Sequence, residues 1–383
     1  MKWKTVPALV MTAALCTAAP SAFAESPALP SVTAAMQLIV DQQEVAGAVT
    51  LVASADRIIH LSAVGSADIA ANRPMQTDSI FWVASMTKPL TAAAILMLQD
   101  EGKLSIDDPA GRYLPELAEL RTADGKPAVI TLRQMLTHTS GMSEGGSQSI
   151  RTLAELIPRY AGQPLKFTPG SSWAYCQSAI NSLGRIIEVV SGRSYQEFLQ
   201  ERLFTPLAMH DSSFYPSEAQ RARIATPYRV VAGKLVEQGF GGYNPADHNR
   251  HPAPNGGLFS TAPDYARFLQ MLLNRGSLEG RQYLKPETVE LMTAIHTGDF
   301  RTGWNPGHGW GLGVAVLREP QGVTATLSPG TFGHVGVMGT HGWADPSRMR
   351  VHVLMIQRSG GNFDDTAARR AFHTATAAAL KTE

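Results

Sequence analysis

"WVASMTKPLTAAAILMLQ", residues 82–99, contains one lysine and no other charged side chain. Lys88 stands three residues after Ser85 and ahead of an alanine-rich apolar run. Pro89 lacks a backbone N–H, which a helix tolerates only in its first turn. This places Ser85 at a helix N-terminus, and Gly102 supplies the stop. Residues three apart on a helix share a face, with Cβ atoms roughly 5–6 Å apart. The Lys88 amine can therefore reach the Ser85 hydroxyl. An isolated lysine titrates near about 10.4 and is a poor base at neutral pH. Val83, Met86, Leu90 and the alanines offer the desolvation that lowers it. A helix start also favours an alkoxide and the oxyanion that follows. The stretch reads as a serine nucleophile activated by a neutral lysine. S-x-x-K alone is a weak signal, matched about once by chance in a chain this long; its force here comes from the apolar setting.

Upstream, Val32, Ala35, Met36, Ile39 and Val40 recur at helical spacing, and "AVTLVASADRIIHLSAVG" reads as two strands around a turn near Ala55 and Asp56. Downstream, helices dominate. Ile180, Leu183, Ile187 and Val190 make one stripe closed by Gly192. Ser194 with Glu197 forms a capping box, and Thr261 with Asp264 starts another helix. The polar loop "GGYNPADHNRHPAPNGG", residues 241–257, has the character of a site wall. From Trp310 the pattern returns to strands: "GWGLGVAVL", "GTFGHVGVMG", "THGWADP" and "RVHVLMIQ". A last helix spans roughly residues 365–380. The expected fold is α+β: an antiparallel sheet built from both chain ends, flanked by helices, with a mainly helical domain inserted. The expected boundaries are 25–110 with 305–383 for the sheet domain and 111–304 for the helical one. The groove between them is the default site.

The 383 residues carry a net charge of +1, which favours neither nucleic acid nor an anionic membrane surface. Lys2 and Lys4, an apolar run and "AFA" at residues 22–24 read as a cleavable secretory signal over residues 1–24. The run is too short to span a membrane. The expectation is a periplasmic or secreted protein with no stable membrane insertion. Leu15 before Cys16 argues against lipid attachment. Without the leader, Cys176 is the single cysteine, so no internal disulfide forms.

Other nucleophiles and ligands are weaker. "GMSEG", residues 141–145, is a literal G-x-S-x-G, but a helical pattern precedes Ser143 and a loop follows it, whereas the elbow needs strand then helix. His248, His251, His308, His334 and His341 form no H-E-x-x-H and have no cysteine pair, so no metal and no cofactor is expected. Cys176 beside Tyr175 reads as a buried, inert thiol.

Taken in order along the chain, "FWVASMTKPLTAAAILMLQDEGKLSIDDP", "ITLRQMLTHTSGM", "FTPGSSWAYCQSAINSLGRIIEVVSG", "NGGLFSTAPDYARFLQMLLNRG" and "GTFGHVGVMGTHGWADP" resemble the serine β-lactamase and penicillin-binding-protein superfamily. The likeness runs from about residue 32 to the C-terminus and is greatest to the class C-like group that contains the family VIII carboxylesterases. The resemblance implies a β-lactamase/transpeptidase-like fold with Ser85 as nucleophile, Lys88 as base and Tyr175 as proton relay. It places His334, Val335 and Gly336 at the third motif, and the N–H groups of Ser85 and Val337 at the oxyanion. Two positions depart from the pattern. Gln177 stands where the Y-x-N element has asparagine, and His334 stands where K-T-G has lysine. Both weaken the grip on a β-lactam and leave ester opening untouched. The implied protein is an exported serine hydrolase for short acyl esters or a peptide-like small molecule. A D-amino-acid peptidase or amidase, a weak β-lactamase, and a catalytically silent penicillin-binding-like sensor are the alternatives.

Overall fold

The structure is a computed structural model that describes residues 1, 29–145 and 150–381. Apart from Met1, the expected leader, with Cys16, lies outside the described residues.

The main sheet has eight strands, numbered here in chain order. An N-terminal helix (Pro30–Asp41) leads into β1 (Gly47–Ala53), β2 (Ile58–Asp68) and β3 (Arg73–Pro74). The chain returns after the helical insertion with β4 (His308–Trp310), β5 (Ala315–Leu317), β6 (Phe332–Val335), β7 (His341–Asp345) and β8 (Arg350–Met355). The spatial order is β4-β5-β6-β7-β8-β1-β2-β3, and every neighbouring pair is antiparallel. Both chain ends thus meet at the β8–β1 pair, where Val49 lies opposite Met355 and Val52 opposite His352.

β1 shows why the sheet sits between two layers. All seven of its residues are buried. Alternate side chains of a strand point to opposite faces. Ala48 and Val52 pack with Val32, Met36 and Phe372 of the two terminal helices (Pro30–Asp41 and Ala367–Ala379). Val49 and Leu51 join the larger core with Phe268 and Leu272 of the helix Ala262–Leu273. A strand covered on both faces reads as a continuous apolar run, as β1 does.

The local signals operate as their chemistry requires. Ser194 and Glu197 form the reciprocal capping box, the Thr261 side chain accepts from the Asp264 N–H, and Gly192 takes φ 70° to close the helix Gln177–Ser191. Two differences have physical causes. "GWGLGVAVL" is not one strand but β4 and β5, because the Gly311 N–H closes a tight turn on Val314 O and Gly313 takes φ 73°. The helical middle also contains a hairpin, Tyr228–Val231 with Lys234–Glu237, whose side chains are largely exposed and so show no strong apolar alternation.

Candidate active site

Ser85 lies in a tight 3-10 turn, Ala84–Thr87, that runs directly into the helix Lys88–Asp100. The regular helix therefore begins at Lys88, one turn later than the expected start at Ser85. Pro89 falls in its first turn, as its missing N–H demands. Ala84 takes φ 47°, a left-handed conformation that is uncommon for a side chain with a Cβ. The turn is held from several sides. Val83 N–H donates to Leu258 O at 3.0 Å, Leu258 N–H donates to Thr87 Oγ1 at 3.2 Å, and Trp82 Nε1 donates to Gly256 O at 2.6 Å.

Lys88 is fully buried, and its Nζ lies 3.0 Å from Ser85 Oγ and 2.6 Å from Asn255 O. No carboxylate lies within 4.0 Å of it among the described residues. Burial holds the amine well below the ordinary lysine value, and the more distant Glu144 carboxylate opposes this only in part. Burial of this kind favours the neutral amine, the form that can accept a proton.

The Tyr175 ring lies 4.6 Å from Lys88 Nζ. Its hydroxyl is buried and meets no hydrogen-bond partner in ordinary geometry among the described residues. Burial raises this phenol far above its usual value, and the neighbouring Ser85 hydroxyl pulls weakly the other way. Amine and phenol are thus pushed in opposite directions beside one serine, the environment that sets titratable groups apart.

Gly336 ends the strand that carries the third motif. A Cβ there would sit 2.2 Å from Thr340 Oγ1 and 2.5 Å from Val83 O, so only glycine lets this strand end lie against the Ser85 turn. Val337 follows and is partly exposed. Neither the Val337 nor the Ser85 N–H donates to another described group. His334 is turned toward its own backbone: the Val335 N–H donates to its Nδ1 at 2.9 Å. Burial first, and Lys88 in its protonated form second, push the imidazole down to about 3. His334 is therefore uncharged at neutral pH.

Gln177 opens the helix Gln177–Ser191, and its Oε1 accepts from Asn255 Nδ2 at 3.1 Å. Three further residues converge on the site that the sequence did not single out. Asn255 ties the loop 241–257 to Lys88 through its carbonyl, and its own N–H donates to Asn181 Oδ1 at 3.1 Å. Glu144 accepts from the N–H groups of Gln177 at 2.7 Å and Ser178 at 3.1 Å, an anion at a helix N-terminus. His138 packs its ring 4.5 Å from that of Tyr175 and accepts from the Cys176 N–H at 3.2 Å. The T-H-T-S-G stretch around His138 was visible, but nothing in its spacing points at the tyrosine.

The competing positions are occupied otherwise. Ser143 donates to Pro164 O at 2.6 Å and follows the short helix Leu132–Leu136 rather than a strand. Cys176 is buried, and its thiol is pushed up to about 11 by burial and then by the Glu144 charge. His251 Nδ1 pairs with Ile150 O, and His248 stacks on Tyr215. No group of three or more His, Cys, Asp or Glu is placed to hold a metal ion among the described residues. No described helix is long and apolar enough to cross a membrane.

A family model described as Beta-lactamase matches residues 32–376. Esterase EstB of Burkholderia gladioli is 32% identical over 376 residues, covering 88% of this chain and 92% of its own. Lovastatin esterase of Penicillium rubens is 31% identical over 334 residues, covering 74% of this chain and 82% of its own. Among solved structures, EstCE1, a hydrolase with promiscuous acyltransferase activity, superposes with a TM-score of 0.80 at 26% identity, covering 90% of this chain and 98% of that one.

Proposed function

The chain belongs to the beta-lactamase family, and we propose that it is an exported serine hydrolase cleaving short acyl esters through an acyl intermediate on Ser85. The observation that carries this is the fully buried Lys88 amine, 3.0 Å from Ser85 Oγ and without a carboxylate in pairing range among the described residues. The relatives named as esterases add support.

In the proposed cycle, neutral Lys88 takes the Ser85 proton as Oγ attacks the ester carbonyl. The N–H groups of Ser85 and Val337 receive the oxyanion, a term that costs about 10²–10³ in rate when one donor is lost. The proton passes from Lys88 by way of the Tyr175 phenol to the leaving alkoxide, and the C–O bond breaks to free the alcohol. Water then attacks the acyl-serine, gives its proton to the same pair, and the Ser85 oxygen leaves and is reprotonated.

The preference for esters rests on what the anchors are already doing. His334 offers no cation for a substrate carboxylate, and the Gln177 carbonyl is committed to Asn255. Two measurements test the reading. A fluorophosphonate probe labels the Ser85 peptide, and Ser85→Ala abolishes labelling while Ser143→Ala does not. In parallel, kcat/KM for p-nitrophenyl butyrate exceeds that for nitrocefin. Labelling that follows Ser143 overturns the mechanism; a nitrocefin value at or above the ester value promotes β-lactamase; no burst of p-nitrophenol from the ester together with no ring opening of nitrocefin leaves the silent sensor.

A further inference from the structure

A second cavity, of about 330 Å³, opens between the loop around Leu327, the strand β8 and the helix Ala367–Ala379. None of the residues around Ser85 lines it.

Its charge is one-sided. Arg348, Arg350 and Lys381 face it, and no aspartate or glutamate lines it among the described residues. Arg350 and Lys381 have no carboxylate within 4.0 Å among the described residues, and Arg348 reaches Asp345 only at 3.9 Å. Arg348 and Lys381 are exposed at its rim and Arg350 is half-buried, so all three cations lie on one concave wall.

Its interior is unsatisfied as well. His373 and Thr376 line the cavity and are each almost wholly buried, yet His373 Nδ1 and Thr376 Oγ1 have no partner among the described residues. Arg369 Nε donates to His373 Nε2 at 3.5 Å. A neutral imidazole that accepts at one nitrogen carries its proton on the other. His373 Nδ1–H is therefore a donor without an acceptor. Buried polar groups in folded proteins are nearly always paired, so these two are open to a partner bound in the cavity. The remaining lining is apolar, from Leu327, Ala377 and Leu380.

We propose that this cavity binds a small organic anion, a carboxylate carrying a short hydrocarbon tail. The head group takes the donors of His373 and Thr376 under the field of Arg348, Arg350 and Lys381. The tail covers Leu327 and Leu380. A cation meets three like charges here, and an inorganic anion leaves the apolar half unfilled.

Ser85→Ala protein separates this site from any binding at the active centre. Titration with hexanoate, followed by the imidazole proton signals of His352 and His373, shifts both and saturates. Inorganic phosphate binds more weakly, and hexylammonium leaves both signals in place. Arg350→Gln or Lys381→Gln weakens hexanoate by roughly 10- to 100-fold, the loss of one charge-assisted contact. Both substitutions lie at the mouth, so a thermal melt close to that of the parent shows that the fold is kept. The proposal fails if hexanoate at millimolar concentration leaves both histidines unmoved, or if neither substitution changes its affinity. Phosphate binding as tightly as hexanoate removes the tail from the proposal.

Discussion

Lys88 and Arg369 are both fully buried cations, and they differ in what lies beside them. The Arg369 guanidinium bonds the side chain and the backbone carbonyl of Asp364, and it lies 5.1 Å from the Trp343 ring. Burial lowers its value, but the Asp364 carboxylate restores charge. Lys88 has a serine hydroxyl and a backbone carbonyl instead. Burying an ammonium with no counter-ion is so costly that the group gives up its proton. A partner carboxylate thus marks the cation that holds the C-terminal helix to the sheet. Its absence marks the one proposed as the proton acceptor.

The largest effect expected separates the two. Lys88→Met removes the base and lowers turnover by roughly 10²–10⁴-fold. It breaks no ion pair, so the melting temperature stays level or rises. Arg369→Met does the reverse. It leaves the buried Asp364 carboxylate uncompensated, at about 3–5 kcal/mol, while activity per folded molecule is kept. Turnover and thermal melts on the same two variants check this. A Lys88→Met protein that unfolds early and keeps its turnover would break the comparison outright.

Tyr175→Phe tests the acid beside that base. It keeps the ring against His138 and Lys88 and removes the phenolic proton. Turnover falls by about 10²-fold, the lower end for a proton-transfer group. Near wild-type rates across several esters would remove Tyr175 from the relay.

The same contrast has a pH signature. Lys88 and His334 are both held below their ordinary values in the fold. Between each folded value and the unfolded one, the unfolded chain binds more protons, so stability rises with pH. For His334 the window runs from about 3 up to its ordinary value near 6.5, and stability is lost as pH falls through it. For Lys88 the window extends up to about 10.4, from the depressed folded value below it. Lys88→Met therefore flattens the slope of stability on the alkaline side, and His334→Asn flattens it on the acid side. Denaturant titrations across pH measure both slopes. An alkaline slope unchanged by Lys88→Met shows that the amine is not depressed.

Much of this was legible because it is local. Ser85 and Lys88 sit one turn apart, so spacing alone could pair them. The capping residues Ser194, Glu197 and Thr261 act within three residues of themselves. The sheet was legible from apolar, β-branched and glycine-rich runs between turn signals at both chain ends, where β1 and β8 meet. Asn255, Glu144 and His138 were not legible as site residues. Each arrives on a loop, over sequence separations of 167, 33 and 38 residues for the bonds they make to Lys88, Gln177 and Cys176. Loops carry no period, and Asn255 acts on Lys88 through its carbonyl, a group that every residue possesses. Gln177 was seen as an altered substrate contact, but its partner Asn255 could not be seen with it.

The smallest effect expected concerns Cys176, which sits beside Tyr175. Its thiol is pushed up to about 11, so it stays protonated at neutral pH and is no nucleophile. The sulfur instead caps a helix: Ala179 N–H donates to it at 3.5 Å, and Ser178 Oγ and Met142 O lie at 3.1 and 3.4 Å. Serine is a preferred residue at such a cap. In Cys176→Ser the hydroxyl finds an N–H to accept from and a carbonyl to donate to, so nothing buried is left unpaired. The oxygen has shorter reach than sulfur, which loosens packing slightly. The two changes nearly cancel, within a few tenths of a kcal/mol, or under about 1 °C in a chain of this size. Turnover on p-nitrophenyl butyrate stays close to the parent value. If turnover collapses while the melt is unchanged, the thiol takes part in the chemistry, and the separation between the Lys88 side of the site and its structural support has been drawn in the wrong place.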